Sequence, residues 1–385
     1  DQNIREIKNP KSVTRRQFLR RSLSTIPAIS LAPAFIPSHL FGQSAPSEKI
    51  TIGCIGVGGH GTNMNLRSFL QENDARVVAV CDVDSEHLKT AQDMVHAKYG
   101  NDDCAAYGDF REIIARGDID TVMISTPDHW HTPISLMALR AGKDVICEKP
   151  TMTVEEGQVL SRVVRDYGRV FQTSTEDRSV FVYHRMAELV RNGRIGQLQT
   201  IKVTLPSQPI TAGDPTPMPV PETLDYDMWL GPAPEAPYTK DRVHFHFRWL
   251  WDYSGGIITD WGTHLFDTAQ WANDTEHSGP VKISGSGTFW EEGLYDTVKN
   301  FDLEYTYANG VKLLVSDGGT GIRCEGTDGW IDIQHWRGPL QASDRSILDS
   351  TIGPEETHLF TCPEGEHRNF LNCVKSTKDP YFTVE

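Results

Sequence analysis

The chain has 385 residues, 38% of them hydrophobic and 23% charged, with 32 glycines. That balance excludes wholesale disorder, collagen and coiled coil, and the length calls for two or three domains. A net charge of −15 argues against nucleic acid or an anionic membrane as the main partner, since phosphate neutralisation needs clustered Lys and Arg. Seven cysteines make no disulfide scaffold, and Cys54, Cys81 and Cys147 sit in apolar runs as buried thiols.

The chain opens on Asp1, as a fragment or processed form would. Thr14-Arg15-Arg16-Gln17-Phe18-Leu19-Arg20 has the twin-arginine export pattern, and the apolar stretch Leu23 to Ile36 follows. Pro27 and Pro33 break that stretch, which is too short for a bilayer span. Residues 1–45 therefore read as a signal peptide and linker, and the expected location is the periplasm or cell envelope. The partner there is the export machinery, which moves folded, cofactor-loaded proteins.

From Lys49 to Ile55 a buried strand is expected, then Gly56-Val57-Gly58-Gly59-His60-Gly61, then a helix from Asn63 to Leu70. A G-x-G-x-x-G between strand and helix is a dinucleotide signature. Gly56 makes the tight turn, Gly58 admits the pyrophosphate, and Gly61 lets helix and strand pack closely. The second strand, Arg76–Cys81, ends at Asp82, 21 residues past Gly61, where a carboxylate binds a ribose 2′-hydroxyl and repels a 2′-phosphate. NAD is favoured over NADP on that ground. Asp82 also reads as a helix N-cap.

Helices at 84–99, 110–116, 131–141 and 154–167 alternate with strands at 120–125, 144–147 and 169–172. This pattern predicts a doubly wound parallel sheet over 46–175. Thr126, Pro127, His129 and His131, and then Glu148, Lys149 and Pro150, fall at strand carboxyl ends, where such sheets bind ligands.

Beyond 175 the text changes to a helix at 180–192, a strand at 198–205, a proline-rich surface loop at 206–237, and strands at 281–290, 301–307, 311–316 and 330–334. Strand following strand predicts an α+β domain with a mostly antiparallel sheet over 176–385. Asp260 and His264 stand at i and i+4 and share a helix face, as a carboxylate–imidazole base or as a surface pair.

The G-x-G-x-x-G strand, the acidic end of the second strand, Glu148-Lys149-Pro150 and Gly255-Gly256…Asp260-x-x-x-His264 together resemble the Gfo/Idh/MocA oxidoreductases, over residues 49–385. Thr126-Pro127-Asp128-His129-Trp130-His131, Asp227-Met228-Trp229-Leu230-Gly231-Pro232 and Asp260-Trp261-Gly262-Thr263-His264 resemble the twin-arginine-exported branch of that family, which includes inositol dehydrogenase and glucose–fructose oxidoreductase. The resemblance implies hydride transfer between a tightly bound nicotinamide and a secondary alcohol of a sugar or cyclitol. Lys149 would stabilise the alkoxide, His264 would take the proton, and Asp260 would orient substrate and imidazole. Alternatives are a glycoside hydrolase that oxidises transiently and eliminates, and a non-catalytic sugar-binding protein. The resemblance also implies a homo-oligomer and a chain running on past Glu385.

Arg178, His246, Arg248 and Tyr253 are further candidates for a sugar site. Trp229 and Trp251 read as core. His129-x-His131 and His244-x-His246 lack a Cys or carboxylate at zinc-type spacing, so no metal is expected.

Overall fold

A computed structural model describes residues 49–209 and 211–384. The twin-arginine motif and the apolar stretch after it lie outside the described residues. Among the described residues no helix is long and apolar enough to cross a membrane.

Six strands form one parallel sheet: β1 (Ile50–Ile55), β2 (Ala75–Cys81), β3 (Ala105–Tyr107), β4 (Thr121–Ile124), β5 (Asp144–Glu148) and β6 (Phe171–Ser174). Their order is β3-β2-β1-β4-β5-β6. The order reverses beside β1, which opens a crevice at the carboxyl ends of β1 and β4. β4 is buried along its whole length because helices cover both faces of such a sheet. In place of a simple helix from Asn63, a π-helical turn, Gly61–Leu66, runs into a short α-helix, Arg67–Phe69.

The second sheet has seven strands: β7 (Leu198–Leu205), β8 (Lys282–Thr288), β9 (Asn300–Thr306), β10 (Lys312–Asp317), β11 (Gly321–Gly326), β12 (Trp330–Ile333) and β13 (Gln341–Ala342). Their order is β13-β12-β11-β7-β10-β9-β8, and only the β7–β10 pair is parallel. β7 alternates toward its end, burying Ile201, Val203 and Leu205 against the domain core.

Two features tie the halves together. The proline-rich loop is more than surface: Ser85 N–H donates to the Thr223 carbonyl and Asp225 N–H to the Val83 carbonyl, both at 2.9 Å. This strap crosses the end of β2. The other tie is the helix Glu366–Ser376. Its apolar stripe, Phe370, Leu371, Cys373 and Val374, is buried with Leu66, Phe69 and Val77 in the core of the first sheet. The expected 176–385 domain thus gives its last helix to the nucleotide half. Arg368 anchors it, with Nη1 at 2.6 Å from Glu72 and 2.8 Å from Asp74. Burial opposes ionisation of Asp74, but the Arg368 and Lys375 hydrogen bonds hold its carboxyl well below the usual range. All seven cysteines are buried and free.

Trp229 is buried, but Trp251 is 66% exposed and is not core, because it lies on the turn after a short 3₁₀ helix. Phe370 is fully buried, so Phe370→Ala leaves a cavity where the last helix meets the first sheet. It should cost about 3–5 kcal/mol in chemical denaturation. A loss under about 1 kcal/mol would mean that the helix does not hold the nucleotide half.

Candidate active site

The glycine loop is shaped by contact. Gly56 has φ +78°, and a Cβ there would lie 2.6 Å from Ser125 C and Thr126 N. A Cβ on Gly61 would lie 2.0 Å from the Gly56 carbonyl oxygen, so the helix start can sit on the turn only as glycine. Gly58, Gly59 and His60 line the cleft beside them. Asp82 closes the other side. Its Oδ2 accepts from Val57 N–H at 2.8 Å and its Oδ1 from Asp84 N–H at 2.9 Å. Each oxygen keeps a lone pair for a ribose hydroxyl. The helix cap is Asp84, not Asp82: its Oδ1 accepts from Glu86 N–H at 2.9 Å.

The cleft holds about 1280 Å³, more than the roughly 300–1,000 Å³ of an ordinary ligand pocket, which leaves room for a dinucleotide and a second molecule. Thr126, Pro127, His131, Glu148, Lys149, Arg248, Asp260 and His264 all line it.

At its centre Lys149 Nζ donates to Asp260 Oδ1 at 2.6 Å and to the Asp260 carbonyl at 2.8 Å. Arg248 Nε donates to Asp260 Oδ2 at 3.0 Å. Burial would raise the Asp260 carboxyl, but Lys149 and then Arg248 outweigh it and hold it at about 2. Burial would likewise discharge Lys149, yet Asp260 and Glu148 raise its pKa, so it stays an ammonium. An ammonium has no lone pair with which to accept a proton.

His264 has a different partner from the one expected. Helix Ile257–Asp260 ends before helix Gly262–Ala272 begins, and both Asp260 oxygens are already taken. His264 Nδ1 instead donates to the Thr175 carbonyl at 3.0 Å, with Asp177 Oδ2 at 3.8 Å. A carbonyl only accepts, so Nδ1 carries the hydrogen and Nε2 keeps its lone pair. Burial, reinforced by the Lys149 charge, pushes the imidazole down to about 4. It is neutral at pH 7 and able to accept a proton.

Other expected residues lie outside the cleft or are held by local contacts. His129 is buried outside the cleft, with Nε2 at 3.0 Å from the Trp229 carbonyl and its ring among Trp130, Trp229 and Tyr253. It packs the two halves together and touches no cofactor space. His131 bridges the Thr126 and Pro150 carbonyls, both at 2.8 Å, and so braces two strand ends. Arg178 is bound to Asp267 at 2.6 Å and Glu276 at 2.9 Å, away from the cleft. His246 Nδ1 meets the Tyr295 hydroxyl at 3.0 Å, and Tyr253 is fully buried beside Trp229; neither lines the cleft. Of the four sugar-site candidates only Arg248 does.

The structure adds Glu176, Asp177, Trp261, Trp336 and Arg337. Arg337 Nη2 lies 2.7 Å from Glu176 and 3.3 Å from Asp177, with its guanidinium over the Trp336 ring. Glu176 and Arg337 both have left-handed backbones, at φ 52° and 56°, a strain found mostly at functional sites. Burial pushes Asp177 up to about 7, against the pull of Arg337. Glu176 and Asp177 follow β6, so the rule that ligands collect at strand carboxyl ends reaches them. From the nucleotide side, Glu148 Oε1 takes His60 Nε2 and Asn65 Nδ2, each at 2.9 Å.

The protonation pattern has a consequence for rate. In the free enzyme, kcat/KM should keep its base down to an acid limb near pH 4, well below the ordinary 6.5 of histidine. An acid limb near 6.5 would contradict the assignment of His264 as the base.

Comparison with known proteins agrees with this geometry. Residues 50–175 match the model of the "Oxidoreductase family, NAD-binding Rossmann fold", and residues 211–380 that of the "Oxidoreductase family, C-terminal alpha/beta domain". A Glycosyl hydrolase family 109 protein 2 of Shewanella sp. (strain ANA-3) is 33% identical over 160 residues, 37% of this chain and 35% of that protein. The D-glucoside 3-dehydrogenase of Escherichia coli (strain K12) is 30% identical over 153 residues, 40% of this chain and 42% of that protein. The chain thus spans well under half the length of these curated relatives. The solved WlbA dehydrogenase from Bordetella pertussis, in complex with NADH and UDP-GlcNAcA, shares the fold at a TM-score of 0.63 and 16% identity, covering 87% of this chain and 91% of that one. With an NAD-binding Rossmann domain and its paired α/β domain both matched, the chain belongs to the Gfo/Idh/MocA oxidoreductase family.

Proposed function

We propose that this protein oxidises a secondary hydroxyl of a neutral sugar or cyclitol, with NAD held in the cleft as hydride acceptor. The observation that carries the reading is the convergence of a charged Lys149 and a neutral, oriented His264 in one cleft with the glycine loop and Asp82. Asp82 would hold the ribose diol, which favours NAD over NADP. Bound NAD supplies the two-electron chemistry. His264 Nε2 takes the hydroxyl proton, and the Lys149 ammonium stabilises the alkoxide as it forms. Asp260 fixes Lys149 and remains ionised throughout.

The charge balance supports a neutral substrate. Lys149 and Arg248 are both paired with Asp260, and Arg337 with Glu176 and Asp177. No unpaired Lys or Arg stands at this end of the cleft among the described residues. Trp261 and Trp336, with ring centroids 5.1 Å apart, offer apolar faces to the C–H side of a ring. The strap over the end of β2 supports slow cofactor release. Retention suits export through the Arg15-Arg16 motif, which we include in the proposal, because the periplasm holds no nicotinamide pool.

The test uses the full chain purified without added nucleotide and mixed with free sugars, cyclitols and chromogenic glycosides. Reduction of bound cofactor by at least one substrate is expected, and Lys149→Ala should lower its rate about 10²–10³-fold. Aglycone release without net reduction would assign the glycoside-cleaving cycle, which shares the first oxidation. Failure of every polyol to reduce bound or added NAD, with ligand binding kept by Lys149→Ala, would leave a binding protein instead.

A further inference from the structure

We propose that Asp84, His87 and His244 form a binding site for a divalent transition metal, with Zn²⁺ as its simplest occupant. One ligand atom from each residue lies within 4.8 Å of the others. Asp84 and His87 are three residues apart, but His244 lies 157 residues beyond His87, which is why a search for short spacings passes over the set. Asp84 and His87 stand at the start of helix Ser85–Tyr99, and His244 begins the 3₁₀ helix His244–Trp249 of the other half.

The separations suit the chemistry. Tetrahedral zinc with bonds of about 2.0–2.1 Å places its ligand atoms roughly 3.4 Å apart. Asp84 Oδ2 and His244 Nε2 are 3.6 Å apart already. The two imidazole centroids are 4.9 Å apart. The His244 side chain is 42% exposed and can close the remaining gap by rotation. Asp84 Oδ1 is occupied by the helix cap, which leaves Oδ2 free to ligate.

The backbone points the same way. His244 has φ 54°, a left-handed conformation that costs free energy in a side-chain-bearing residue. The conformation brings no burial to the half-exposed ring; it brings the imidazole to Asp84 and His87. Three protein ligands and an open fourth position would remain, the pattern of a zinc site that keeps one place for water or a ligand group. The site would sit two residues from Asp82, at the ribose end of the cleft, and would clasp the two halves beside the strap.

The experiment uses the full chain, stripped with a chelator and dialysed, then titrated with Zn²⁺ and separately with Co²⁺, with and without NAD. One zinc per chain is expected, together with a Co²⁺ ligand-field band in the visible. His244→Ala and His87→Ala should each weaken zinc binding at least about tenfold, whereas His246→Ala should not. Failure of the unmodified protein to bind stoichiometric zinc or to give a Co²⁺ band would overturn the proposal. Zinc binding unchanged in both His244→Ala and His87→Ala would also overturn it. These readouts do not depend on sugar oxidation, so they stand or fall apart from that reading.

Discussion

The contact on which the rest of the site depends is the ion pair between Lys149 and Asp260. One partner follows β5 of the parallel sheet and the other ends a helix of the second half, and their side chains are only 10% and 14% exposed. A charge so buried is tolerable only when paired; leaving one partner alone costs about 3–5 kcal/mol. The pair therefore bridges the two halves and keeps the ammonium charged where an alkoxide would form. Arg248 on the far oxygen of Asp260 completes the arrangement. The two cations engage both oxygens of the carboxylate, and His264 hydrogen-bonds the Thr175 carbonyl instead.

The same division of labour runs through the fold. The parallel sheet supplies rigid strand ends, and the antiparallel half supplies side chains that reach over them. Beside the ion pair, the strap onto the end of β2, the His129–Trp229 contact and the last helix buried against the first sheet help to hold the two in register. The start of that helix reaches the cleft itself. Glu366 accepts from the Ser174 hydroxyl at 2.6 Å and from Glu176 N–H at 2.9 Å, and burial raises its carboxyl to about 8. The carboxyl end of the chain thereby supports the segment Thr175–Asp177 that orients His264.

The nucleotide half was legible because its signals are local. The glycine turn, the acid at the end of β2 and the alternation of strand and helix are each encoded within a few residues, and the geometry of Gly56 and Gly61 matches the reasons for choosing glycine. Lys149 and His264 were legible as residue types in a pattern. Their partners were not, because Thr175, Asp177 and Arg248 meet them only through the tertiary fold. Spacing suggested that Asp260 serves His264; a break between two short helices and a stronger cationic neighbour decided otherwise. Arg178, His246 and Tyr253 carried sugar-like chemistry in sequence, but each is spent on a local partner: Asp267, Tyr295, and Trp229 with Arg242. The last helix changed halves because an amphipathic stripe shows that it packs and not against what.

The most direct measurement of this account is the pH dependence of bound-cofactor reduction in Asp260→Asn. If Asp260 positions Lys149 while Thr175 and Asp177 orient His264, the maximal rate falls by about 10²-fold or more and the acid limb stays in place. An undiminished rate would show that Asp260 does not position Lys149, and an acid limb displaced by more than about one pH unit would show that it acts on the imidazole.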